Sequence, residues 1–204
     1  MAHVPAAVRR VQIIEAATAV IAREGVAGAS TRVIAKEAGV PLATLHYVFT
    51  TKDEVLTAVL ESLFTQGQKD FERLVDEHVL APRSESLAEL FQRLVGIYWT
   101  AFEAEEAVHR AQYELSLYAM RTPAAAHLGR ALYDFYLART EEFLAIASEK
   151  SGETIACPVR DLAHLIVSGL DGVMLQALVH GDREQARRGM DNVARAATAL
   201  ATAR

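Results

Sequence analysis

The chain has 204 residues, 51% of them hydrophobic, and a net charge of −5, which is apolar material for one sizeable core or for a small domain beside a medium one. Its single cysteine, Cys157, excludes an internal disulfide and a paired-cysteine metal site. The acidic balance argues against nucleic-acid binding by the whole surface. The charge is uneven, however: residues 1–56 carry six basic side chains (Arg9, Arg10, Arg23, Arg32, Lys36, Lys52) against five acidic ones (Glu15, Glu24, Glu37, Asp53, Glu54), so a mildly basic head precedes an acidic body.

Apolar residues recur at helical spacing throughout, and no stretch alternates with period two, so the expected fold is all-α. The first helix is expected from Pro5 to Glu24, with Ile13, Ile14, Ala17, Val20 and Ile21 inward and Gly25 as its left-handed cap. Ser30 or Thr31 caps a short second helix to Ala38, Gly39 ends it, and Pro41 opens a short third helix at its first position. A capping box at Thr51 and Glu54 starts a long fourth helix to about His78. Longer helices follow at 84–102, 105–121, 124–150, 158–180 and, capped by Asp182, to about Ala201. The apolar run from Leu162 to Val179 is interrupted by His164, Ser168, Asp171 and Gln176, and reads as a buried helix rather than a membrane span. With no apolar leader at the N-terminus, a soluble cytoplasmic protein is expected.

The segment from Thr31 to Val48 carries the function. Two short helices meet at Gly39, where a tight turn needs a positive φ, and Ala35 is small where they cross. Ile34, Val40, Leu45 and Val48 point inward, which leaves Leu42, Ala43, Thr44, His46 and Tyr47 on the outer face of the third helix. This is the helix-turn-helix pattern, whose second helix enters the major groove of DNA.

Five blocks in register extend the pattern: IIEAA at 13–17, EG at 24–25, STRVIAKEAGV at 30–40, TLHYVF at 44–49 and TKDEVL at 51–56. In these blocks the chain resembles the N-terminal domain of the TetR family of transcriptional regulators. The resemblance implies a DNA-binding domain over 7–67, with the motif at 30–49, and a ligand-binding and dimerisation domain over 68–204. It implies that Thr31 and Arg32 meet phosphates at a helix N-terminus, that Pro41, Leu42, Ala43, Thr44 and His46 face the groove, that Tyr47 and Lys52 anchor phosphates, and that Phe49 is core. Three positions depart from the family pattern: His46 stands where Tyr is frequent, Val48 where His is frequent, and Pro41 where Ser is usual. Leu42 and Ala43 offer a base edge only apolar contact, for example with a thymine methyl.

In the C-terminal half, LAHLIVSGLDGVMLQALVHGD at 162–182 resembles the dimerisation helix of TetR proteins related to the betaine-responsive repressors, with Ser168 and Gly172 four residues apart for close approach. With the helix at 124–150 it implies a four-helix interface in a homodimer that reads a palindromic operator in double-stranded DNA. The resemblance also implies a small-molecule effector held between the fourth and eighth helices. Tyr98, Trp99, Phe102, Tyr113, Leu117, Tyr118 and Met174 are the lining candidates, and Glu114 and Arg121 the polar handles, although aromatics at helical spacing also read as core. Asp171 either meets a cationic ligand or is satisfied beside its neighbouring glycines, and the resemblance favours the second. Cys157, before Pro158, reads as inert. No cofactor is implied, and repression by operator release on effector binding is the family's default.

A rival reading is a metal-binding helical-bundle oxidase. Glu106 with His109, and Asp161 with His164, have the spacing that puts a carboxylate and an imidazole on one helical face, with Glu72 and Glu141 as further ligands. Against it, Asp161 opens a helix, where a carboxylate has a dipole reason to be, and residues 30–52 go unexplained. A third reading is a DNA-binding or interaction module with no effector. No Ser–His–Asp arrangement or phosphate-binding glycine loop points to an enzyme.

Overall fold

The computed structural model describes residues 5–78 and 85–203. Among these residues there are nine helices and no strand: α1 (Ala6–Gly28), α2 (Thr31–Glu37), α3 (Leu42–Val48), α4 (Lys52–His78), α5 (Leu87–Ala104), α6 (Glu106–Arg121), α7 (Ala126–Ser151), α8 (Val159–His180) and α9 (Arg183–Thr202). The chain forms two compact units, one from the segment ending at Gly67 together with Ala107–Ala131, the other from Gln68–Glu106 together with Leu132–Arg204. The expected start of the fifth helix at Ser84 lies outside the described residues; α5 begins at Leu87, capped by Ser86, whose hydroxyl accepts from the Glu89 N–H while Glu89 reaches back to the Ser86 N–H.

The first unit is built around α1, α2, α3 and the start of α4. Ile13, Ala17, Val20 and Ile21 of α1 meet Ile34 and Ala35 of α2, Leu45 of α3, Phe49, and Val55, Leu56 and Val59 of α4. α6 completes this core with Ala111, Leu115 and Ala119, one every fourth residue, so that a single face of α6 is buried. Division in chain order places α6 in the second domain; in the structure its apolar face is part of the first unit's core.

Local bonds set the helix-turn-helix. Ser30 accepts from the Val33 N–H and caps α2. Past the C-cap Ala38, Gly39 (φ 63°) donates to the Lys36 carbonyl and Val40 to the Ala35 carbonyl, the paired bonds of a Schellman ending. The Gln12 side chain donates to the Ala38 carbonyl at 2.7 Å, so α1 serves the end of α2. Pro41 holds the cap position of α3, one residue outside the helix, and contributes no side-chain cap. At α4, Thr51 accepts from the Glu54 N–H as the sequence suggests, but Glu54 bonds back to the Thr50 N–H instead of that of Thr51.

The second unit packs α5, α8 and α9 with part of α7. Leu87, Leu90, Phe91, Leu94 and Phe102 of α5 meet Phe143 and Leu144 of α7, Leu162, Ile166 and Leu170 of α8, and an alanine-rich stripe of α9 broken by Met190. α8 and α9 approach closely at two reciprocal points: a Cβ on Gly169 would lie 2.8 Å from Val193, and one on Gly189 would lie 3.0 Å from Val173. Asp182 accepts from the Gln185 N–H and caps α9.

Candidate nucleic-acid interface and effector region

The exposed side of the helix-turn-helix is made by the start of α2, the Gly39 turn and the outer face of α3. Arg32, Lys36, Pro41, Ala43, His46 and Tyr47 are exposed, and Thr31 and Thr44 half-buried at its edge. Tyr47 keeps 84% of its surface, an unusual degree for a tyrosine with no structural reason to be there. Leu42, expected on the groove-facing side, is half-buried and packs against the first core, as Val48 does. The apolar offer of α3 is therefore narrowed to Ala43 and the outer edge of Leu42. Phe49 is core as expected, and the Arg10 guanidinium lies 4.6 Å from its ring centroid. That contact puts a basic side chain of α1 beside the end of α3, which helical periodicity alone does not reveal.

Lys52, expected on a phosphate, has its ammonium 2.8 Å from the Val26 carbonyl. The Val26 N–H donates to the Glu114 carboxylate at 2.6 Å. Glu114, expected as a polar handle for an effector, is thus bonded to the last turn of α1, just past the break at Gly25.

The other effector candidates fall into two groups. Tyr113, Leu117, Tyr118 and Arg121 belong to the first unit with Glu114, where Tyr118 packs against the core, Leu117 keeps 61% of its surface and Arg121 is exposed. Tyr98, Trp99, Phe102 and Met174 belong to the second. There Phe102 and Trp99 are buried and stacked 5.4 Å apart, with the Arg183 guanidinium over both rings. Trp99 also floors a groove of about 610 Å³ between α5 and α9, rimmed by Glu103, Arg187 and Asp191.

A cluster that the sequence did not single out lies elsewhere in the second unit. The Tyr133 hydroxyl of α7 donates to Asp171 of α8 at 2.9 Å, and the Tyr133 and Tyr136 rings meet edge to face at 6.2 Å. Burial pushes the Tyr133 phenol well above its ordinary range, and the Asp171 charge adds to the effect; Tyr98 of α5 is raised likewise by burial, then by Tyr136. Three phenols and one carboxylate from three helices therefore share a locality. Asp171 is satisfied by Tyr133, rather than by its glycine neighbours alone.

The oxidase reading fails on geometry. Glu106 is ion-paired with Arg183, Asp161 and His164 are exposed, and Glu141 faces Arg160 at 3.8 Å. The Glu72 side chain lies outside the described residues, and among the described residues no three His, Cys, Asp or Glu side chains converge as a metal site.

Comparison with known proteins agrees with this layout. Residues 13–59 match the family described as bacterial regulatory proteins, tetR family, and residues 82–203 match the tetracyclin repressor-like C-terminal domain. The nicotine-responsive transcriptional repressor HdnoR of Paenarthrobacter nicotinovorans is 34% identical over 168 residues, 82% of each chain. The multidrug binding protein EbrR, solved with ethidium, is 29% identical with a TM-score of 0.65 over 91% of this chain and 98% of its own. A regulator from Saccharomonospora viridis solved with choline shares the fold, at 22% identity and a TM-score of 0.75 over 91% and 95% of the two chains. A helix-turn-helix head and a helical C-terminal domain, each matched in its own right, establish that this chain belongs to the TetR family of ligand-responsive transcriptional regulators.

Proposed function

We propose that the chain acts as a homodimeric repressor that holds a palindromic operator through α3 and releases it when an organic cation binds the C-terminal unit. The observation that carries the DNA half is the exposed face of α3: His46 and Tyr47 stand free of the core while the opposite face, Leu45, is fully buried. On this reading Thr31 and Arg32 hold phosphates, Ala43, Thr44 and His46 read base edges, and Tyr47 reaches the backbone.

The dimer is supported by α8. Leu165, Ser168, Gly172, Leu175 and Val179 recur at spacings of three and four on its outer face, and Leu175 and Val179 keep 45% and 71% of their surface. By length and composition this helix could cross a membrane; in a DNA-binding regulator a second copy of the chain is the better cover for it. The family resemblance implies a pairing of α8 with α7 in that interface. The glycine crossings favour α9 as its partner, because they bring α9 alongside α8.

The effector class is supported by the relatives, one nicotine-responsive and one solved with ethidium, together with the Tyr98, Tyr133, Tyr136 and Asp171 cluster. Aromatic faces and a carboxylate attract a cationic ring. The test has two arms. A randomised duplex library incubated with the protein at two salt concentrations should yield a palindrome whose retention falls as salt rises. A melting screen with nicotine and proflavin should show an upward shift that Asp171→Asn diminishes. No enrichment at either salt sinks the operator reading, and a shift indifferent to Asp171→Asn sinks the assignment of the cluster.

A further inference from the structure

The helix-turn-helix is clipped shut at its base. α1 breaks at Gly25 (φ 75°, ψ 170°), where the backbone leaves helical geometry. Val26 is the first residue past the break. Its N–H donates to Glu114 Oε2 at 2.6 Å and its carbonyl accepts from Lys52 Nζ at 2.8 Å. One residue's two peptide groups are therefore held from two sides by ionised side chains, and charge-assisted bonds of this kind are stronger than neutral ones. Lys52 is the first residue of α4, so the bond from Lys52 to Val26 closes the loop of chain that contains α2 and α3. Glu114 then fastens that closure to α6. The approach depends on Gly25: a Cβ there would lie 2.9 and 3.1 Å from the two Glu114 carboxylate oxygens.

We propose that Glu114 is a positioning residue for DNA binding: through Val26, and with Lys52 on the other side of the same residue, it fixes the angle at which α2 and α3 are presented to the operator. The inference rests on the DNA-binding reading and extends it. Glu114 lies in the segment matched by the C-terminal family domain, whereas Gly25, Val26 and Lys52 lie in the segment matched by the N-terminal one. The clip is thus a polar tie from the sensory part of the sequence to the reading part. It differs from the apolar packing of Ala111, Leu115 and Ala119 on the same helix, because packing tolerates sliding while a short bond to one N–H does not.

The test uses the full-length protein and the palindrome selected by the wild type. Glu114→Ala, Glu114→Gln and Lys52→Ala are compared with Met120→Ala, a control at an exposed position of α6. Three quantities are read well below the melting temperature: operator affinity, its salt dependence, and the chemical shift and exchange rate of the Val26 amide proton by NMR. Glu114→Ala should weaken operator binding by about tenfold, as loss of a hydrogen bond to a charged group implies, with the salt dependence unchanged and Val26 exchange accelerated. Glu114→Gln should recover part of the affinity, since its carboxamide oxygen can accept the same bond; this variant also carries the test if the alanine variant does not fold. Lys52→Ala should weaken binding with an unchanged salt dependence, because its charge is engaged at Val26.

Folded Glu114 variants with a lowered melting temperature and wild-type operator affinity would overturn the proposal, leaving Glu114 a stabilising residue only. A Lys52→Ala salt slope lower by about one phosphate contact would overturn the closure role and return Lys52 to the DNA backbone. Failure of the wild type to select any duplex would strike the DNA-binding reading instead, and the Val26 amide measurement would still report whether the clip exists.

Discussion

Two glycines show how differently the same residue type is required. Gly39 adopts φ 63° at the turn of the helix-turn-helix, and a Cβ there would meet nothing within 4 Å. Gly25 adopts φ 75° and a Cβ there would press on Glu114. Gly39→Ala should therefore cost only the left-handed strain, about 1–2 kcal/mol. Gly25→Ala should cost that strain and also displace the Glu114 carboxylate from Val26. Equilibrium denaturation of the two variants, read beside operator affinity, separates the contributions. Gly25→Ala should be the less stable, and it should lose operator affinity in its folded state. Equal losses in both variants would mean that the carboxylate yields at no cost. At this scale much was legible in advance. A glycine between two short amphipathic helices announces a positive φ from local pattern alone. The role of Glu114 was not legible, because its partner Val26 is 88 residues away, and no periodicity encodes a contact at that distance. Gln12 reaching Ala38 was hidden for the same reason, and Lys52 was read from its position in a motif while the bond it makes depends on the fold.

Among elements, α5 and α8 carry the sharpest expectations. The start of α5 is held by the reciprocal bonds of Ser86 and Glu89. Those bonds, from the Ser86 backbone first and its hydroxyl second, hold the Glu89 carboxyl below its ordinary value of 4.5. A carboxyl with a depressed folded value contributes stability above the unfolded value and loses it as pH falls through the folded one. Wild type should therefore melt above Glu89→Gln at neutral pH, and the two curves should converge as pH drops below the carboxylate range. A gap that persists in acid would assign the difference to packing rather than charge. The α8 helix is tested by Leu175→Glu and Val179→Glu, which place charge on the exposed apolar stripe. Scattering mass should fall from dimer to monomer and operator binding should vanish, because one helix-turn-helix reads only a half-site. A monomeric wild type, or a charged variant that stays dimeric, would remove α8 from the interface. Among the described residues, helix order and most boundaries could be read from the sequence, since capping residues and prolines act within a turn of themselves. The membership of α6 could not, because an Ala, Leu, Ala face at four-residue spacing fits any apolar neighbour equally well.

For the whole molecule, repression requires that effector and operator prefer different conformations of the same dimer. An effector that binds both equally shifts nothing, however tightly it binds. The α6 helix gives this requirement a physical route, since one face of it completes the core beneath the reading head while its Glu114 holds Val26. Any effector-driven displacement of α6 reaches both. The coupling is reciprocal by thermodynamic necessity: if the effector weakens operator binding by some factor, operator must weaken effector binding by that same factor, typically about 5–150-fold. Titration calorimetry of the effector against free dimer and against dimer saturated with operator measures one side, and operator affinity with and without effector measures the other. The two ratios should agree, and both should fall toward unity in Glu114→Gln if the clip transmits the change. Ratios of one in the wild type would show that the effector does not release DNA, and the protein would then be a constitutive binder whose C-terminal unit serves only to pair two reading heads.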